Sequence, residues 1–162
     1  MRSILTSLTI WVFVVWSCVV LGGSLYEAIA VWPLVASDPP RSLAATNQAL
    51  AVPGRAGMFF WSWATPGLGL VALAALLTSF GTPRPNMTWR IASTVLLLIA
   101  VAATLLYFRP TIISLVVEHG GGRPDDEIAA QMRRWVVLNW VRITTLAVSV
   151  GMGVRALLLP KS

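Results

Sequence analysis

Charge, histidine and cysteine are scarce in this chain of 162 residues. Only 11% of its residues are charged, whereas 57% are hydrophobic and eight are tryptophan, a mix far from that of a water-soluble domain. Within a monomer the single histidine, His119, excludes bis-histidine haem ligation and a histidine-rich zinc or copper site. The single cysteine, Cys18, excludes an iron–sulfur cluster and an intramolecular disulfide, and it reads as apolar filler. No phosphate-binding loop, dinucleotide fingerprint or nucleophile elbow occurs. The sequence implies neither a metal nor a bound cofactor, so chemistry would fall to ordinary side chains, a lipid-soluble reagent or a reactive substrate.

What the chain has instead is long apolar runs, at residues 4–35, 57–80, 89–117 and 135–159. Each exceeds the roughly 20 residues that cross a hydrocarbon core of about 30 Å. In lipid only helices or closed barrels satisfy their own backbone, and these runs lack the alternation of barrel strands. The expectation is an all-α, integral membrane four-helix up-down bundle forming one transmembrane domain over residues 1–162. Its helices are expected at about 4–35, 57–80, 89–118 and 125–159. The first run is too long for a cleaved signal peptide despite Arg2 and the Ala28-Ile29-Ala30 segment.

Between the runs, "SDPPRS" and "VPGR" make the first loop irregular, with room for a short helix over 42–51. "GTPRPN" is a tight turn. In "EHGGGRPDDE" three glycines end the third helix, and Asp125 reads as the N-cap of the fourth. The formal charge of +6 comes from arginines scattered at helix ends, with no basic face, which argues for lipid headgroups as partners and against nucleic acid. Both termini share a side with Arg2, Arg84, Arg90, Arg155 and Lys161, against Arg41, Arg55, Arg123, Arg133 and Arg134 on the other. The acids one to two turns before Arg133 and Arg134 weaken those two, which suggests a multi-pass protein of the inner (plasma) membrane with cytoplasmic termini. At roughly 1.5 Å per residue the first and third helices would be about 48 and 45 Å long, so the bundle should protrude on the opposite face.

Polar residues gather toward that face. Glu27 lies late in the first helix, Arg109 late in the third, and Asn139 and Arg142 early in the fourth. Trp135, Asn139 and Arg142 are spaced i, i+4, i+7, one inward stripe that continues through Leu146 and Ser149, and Ser149 with Gly153 suits close helix contact. A guanidinium at membrane depth needs an acid or water, and Glu27 is the only acid within a run, so it is expected to pair with Arg142 or Arg109. Asn139 and Tyr26 or Tyr107 would complete the bonding. Pro66 is expected to kink the second helix, with Gly67 and Gly69 adding slack, beneath Phe59, Phe60, Trp61 and Trp63. Those rings read as an interfacial belt or as the roof of a cavity, and His119 as a solvated helix-end histidine or an acid–base group.

The stretches "GGSLYEAIAVWPL", "LYFRPTI" and "MRRWVVLNWVR" together resemble the anthrone oxygenase-like family of small four-helix membrane proteins, over nearly the whole chain. The resemblance implies a four-helix membrane bundle and, for fungal members, oxidation of anthrones to anthraquinones by molecular oxygen without an evident metal. It carries Pro110, Trp135 and Arg142 onto this chain. Asn139 stands where active members often have His, and Ile112 where they have Asn.

Two functional readings follow. In the first, a cavity lined by Glu27, Arg109, Asn139, Arg142, Trp135, Tyr26 and Trp63 binds a lipophilic small molecule, a reading compatible with oxygenase-like activity. In the second, the same cluster only fixes helix packing in a structural or accessory subunit. Either is compatible with an oligomer.

Overall fold

The computed structural model describes residues 2–51, 56–80, 82–84, 86–116, 118 and 122–159. Within them the chain is all-α, and four helices are long and apolar enough to cross a membrane. Helix α1 runs Arg2–Tyr26, passes through a π-helical turn at Glu27–Val31 and ends in Trp32–Val35. The short α2 is Arg41–Ala51 and α3 is Ala56–Ser79. Helix α4 runs Asn86–Ala103, has a second π turn at Thr104–Phe108 and closes with Arg109–Val116. Helix α5 is unbroken over Asp125–Leu158.

Both π turns have the same cause in the sequence. Pro33 and Pro110 each stand two residues beyond their turn. A proline ring offers no N–H and collides with the carbonyl four residues earlier, a collision that widening the preceding turn relieves. The hydrogen bond accordingly slips by one residue, from Trp32 N–H to the Glu27 carbonyl and from Arg109 N–H to the Thr104 carbonyl. Pro66 sits inside α3, which is α-helical from Ala56 to Ser79 with no π turn. Gly67 makes room for a close ring: a Cβ there would meet the Trp16 ring at 3.0 Å, and the Trp16 indole donates to the Ala64 carbonyl at 3.2 Å.

Other local expectations are corrected too. Pro124, with extended ψ, is the N-cap of α5, and Asp125 is its first helical residue with no capping bond. The three acids still lie in the first turn, where the helix dipole favours them. Gly122 has φ of +76°, which a Cβ would resist. His119, with Gly120 and Gly121, lies outside the described residues.

The helices enclose two apolar cores. The larger gathers Ile10 and Phe13 of α1, Leu68 and Ala72 of α3, Leu97 of α4 and Leu146 of α5. The smaller joins Val35 of α1, Leu43 of α2, Leu115 of α4 and Ile128, Met132 and Trp135 of α5. Around the larger core the outward side chains are mostly apolar, including Val15 and Val19, Leu70 and Leu77, Ile99 and Val141. Around the smaller one they include Arg109, Asp125, Asp126, Arg133 and Arg134.

Small residues draw α4 against α5. The Ser93 hydroxyl donates to the Ser149 carbonyl at 2.7 Å and the Ser149 hydroxyl to the Ser93 carbonyl at 2.8 Å. Beside them Gly153 leaves room for Phe13 and Val14, which stand 3.1 and 3.0 Å from where its Cβ would be. The expected Ser149–Gly153 contact is therefore present, and it brings in α1 as well. Arg90 is a surprise. Instead of an exposed orienting charge it is buried, donating to the Thr6 carbonyl at 3.0 Å and to the Ser79 and Thr78 hydroxyls at 3.3 and 3.4 Å. It thus ties the start of α1 to the C-terminal end of α3, where the dipole favours a cation. Replacing Gly153 by Leu forces ring and branched side chains apart, and is expected to lower stability by about 1–3 kcal/mol in a denaturant titration of the purified protein. Stability unchanged from wild type would show that this contact does not hold the three helices.

Candidate functional site

Between the two cores lies a polar layer. Trp135 and Asn139 are only 3% and 2% exposed, followed on the same face of α5 by half-buried Arg142 and buried Leu146, so the predicted stripe faces inward. The Trp135 indole donates to the Phe108 carbonyl at 3.0 Å, at the end of the second π turn, and its ring lies edge-on to Trp32 and Phe108. Side chains on a helix lean toward its N-terminus, which aims Arg142 back at Asn139.

Arg142 Nε donates to Asn139 Oδ1 and Nη1 to Thr104 Oγ1, both at 3.1 Å, and the guanidinium stands 5.2 Å from the centre of the Phe108 ring. Thr104 can accept because its own proton goes to the Ala100 carbonyl at 2.8 Å. The guanidinium also fixes the amide: with Asn139 Oδ1 accepting, Nδ2 points elsewhere, and among the described residues it has no acceptor. Arg142 Nη2 likewise has none.

Glu27 is the first residue of the π turn in α1, as Thr104 is of the turn in α4. Its Oε1 accepts a hydrogen bond from the Trp61 indole at 2.6 Å, and the Trp32 indole faces the same carboxyl group. The expected ion pair is absent. Glu27 and Arg142 act on each other through space, but the only ion pair among the described residues is the exposed Arg41–Asp38 contact at 3.9 Å. The reason is local competition, since each charged group has neutral partners closer at hand. One turn before Glu27, on the same inward stripe of α1, the buried Ser24 hydroxyl has no partner among the described residues.

Three expected members point away. Arg109 is exposed, next to but outside the inward line of Leu97, Val101, Thr104 and Phe108. Tyr26 and Trp63 are each 67% exposed, and Tyr107 rests on the Phe108 ring without bonding to the layer. Reasoning from depth along each helix located the right level but not the right face. Trp61 and Thr104 were missed as members of the layer. Their signal was the inward stripe on α4 for Thr104, and for Trp61 its placement two residues before Trp63, on another face of the helix. The described recess outside the layer, ≈ 240 Å³ and lined by Pro40, Arg41, Leu43, Ala44 and Leu115, lies beside α2.

Comparison with family models, curated proteins and solved structures finds no match. The layer is therefore read from its own geometry.

Replacing Asn139 by Leu strips Arg142 Nε of its acceptor while the charge stays enclosed, which should cost about 1–3 kcal/mol. The double variant N139L/R142L should regain part of that loss, because an apolar pair leaves nothing unsatisfied. A denaturant series on the two variants checks the order, and a double variant less stable than N139L would contradict it.

Proposed function

We propose that this chain is an integral membrane protein whose polar layer binds a lipophilic small molecule. In this reading α1, α3, α4 and α5 form an up-down bundle, with the larger core at hydrocarbon depth and the smaller core, capped by α2, protruding on one side. The apolar outer surface around the first core and the charged one around the second support that placement. Exposed Tyr26, Phe59 and Trp63 suit an aromatic belt at the boundary, and Cys18, also exposed, would face lipid. We place the protein in the inner (plasma) membrane as a multi-pass chain with cytoplasmic termini.

The observation that carries the binding reading is a half-buried guanidinium whose Nη2 has no acceptor among the described residues, beside a half-buried carboxyl group that does not neutralise it by contact. Arg142 Nη2 and Asn139 Nδ2 would hold a carbonyl or phenolate oxygen, while Glu27 would steady the guanidinium or exchange a proton with the ligand. Trp135 would keep the π turn of α4 in place. Oxidation of the anthrone oxygenase-like kind is a special case of this reading, in which oxygen reacts with a bound, deprotonated ligand and no cofactor is required. One feature favours a purely structural reading: Nε and Nη1 of Arg142 and the Phe108 contact are all satisfied within the helices.

A ligand census separates the two. Wild type and Arg142→Ala are purified in mild detergent and extracted, and their small molecules are compared by mass spectrometry. The binding reading expects an aromatic carbonyl or phenolic compound retained by wild type and lost from the variant. Bulk lipid alone in both samples, with the variant melting several degrees lower, would give the structural reading first place.

A further inference from the structure

We propose that Trp61 is a positioning residue that holds Glu27 out of contact with Arg142, keeping the pair open for a hydroxyl oxygen between them. The inference rests on the binding reading for the identity of that oxygen, but not for the spacing itself. Opposite charges half-buried among apolar side chains attract more strongly than in water, so left alone they should close into an ion pair. Here they do not. The carboxyl group is drawn toward α3 by the Trp61 indole at 2.6 Å, and the guanidinium toward α4 and back along α5 by Thr104 and Asn139.

The indole is itself held in place. Gly23 of α1 has no side chain where the Phe60 and Trp61 rings lie, and a Cβ there would stand 3.1 Å from Phe60 and 3.7 Å from Trp61. The Phe60 ring packs edge-on to Trp61 at 4.9 Å. Arg142 Nη2 and Asn139 Nδ2 are thus left as donors without an acceptor among the described residues, and the carboxyl group, held at Oε1 by Trp61 and faced also by the Trp32 indole, is the acceptor on the other side. A hydroxyl group both accepts and donates, so it satisfies the two sides at once, whether it belongs to water or to a hydroxylated lipophile.

The test is a double-mutant cycle on thermal stability, with E27Q, R142Q and E27Q/R142Q made first in wild type and then in Trp61→Phe. Phe keeps the ring and removes the N–H. The expected result is a Glu27–Arg142 coupling at least twofold larger in the Trp61→Phe background, because the freed carboxylate closes onto the guanidinium. Equal or smaller coupling overturns the proposal. Should Trp61→Phe fail to fold, Trp61→Leu removes the same donor and carries the cycle. Mass spectrometry of extracts from the same samples distinguishes the two sources of the hydroxyl. A compound lost on Trp61→Phe, together with the rise in coupling, supports a hydroxylated lipophile. A rise in coupling with no compound in any sample supports water in the gap, so the spacer stands while the binding reading falls.

Discussion

A guanidinium half-buried among apolar side chains must be given oxygen atoms, and the way Arg142 obtains them orders much of the molecule. One oxygen comes from Asn139, a turn earlier on α5, and the other from Thr104 on α4. The first fixes an amide that would otherwise be free to turn over. The second requires α4 to present Thr104 at the right height and rotation, at the head of the π turn that Pro110 imposes. Trp135 then bonds the carbonyl at the other end of that turn, so one stripe on α5 grips both ends of one irregular segment on α4.

The same solution recurs at the far end of the larger core. Arg90 is buried without a carboxylate among the described residues, and it too is satisfied by hydroxyls and a backbone carbonyl. Its bonds tie α1 to α3 across the start of α4, whereas those of Arg142 tie α4 to α5. Two arginines with neutral partners thus stand at opposite ends of the larger core, and the reciprocal Ser93–Ser149 bonds join α4 to α5 between them. Neutral acceptors suit this duty because they hold a cation without requiring a second enclosed charge, whose desolvation would cost several kcal/mol.

The helices were legible in the sequence, with ends placed within three residues, because apolar run length is a global signal that no single contact overrides. So was the inward stripe from Trp135 to Ser149, since a regular helix turns every residue through the same angle. The losses came where the helix is not regular or where a neighbour competes. Two of the prolines act through the turn before them, by widening it to a π turn, which a reading that treats proline as a simple kink does not foresee. Glu27 was assigned to an arginine by charge, but an indole N–H only 2.6 Å away claimed it, and no pattern within one helix reveals which ring a neighbour will present. Arg109 and Arg90 show the same lesson in opposite directions, one outside the layer despite its depth, the other buried despite its place at a helix end.

What an ion pair in contact would have supplied bears on the choice between structural and binding readings. A closed Glu27–Arg142 pair would complement both charges and leave little to bind, yet contribute modest net stability compared with apolar side chains of the same volume. The separated arrangement is poorer still as glue, because the attraction falls with distance while both desolvation costs remain. Its distinguishing property is that Nη2 and Nδ2 are left without an acceptor among the described residues, as is the buried Ser24 hydroxyl one turn before Glu27. A layer that served only packing would gain from closing those valences within the protein. In the binding reading proposed above, an oxygen-bearing group from outside the chain completes them.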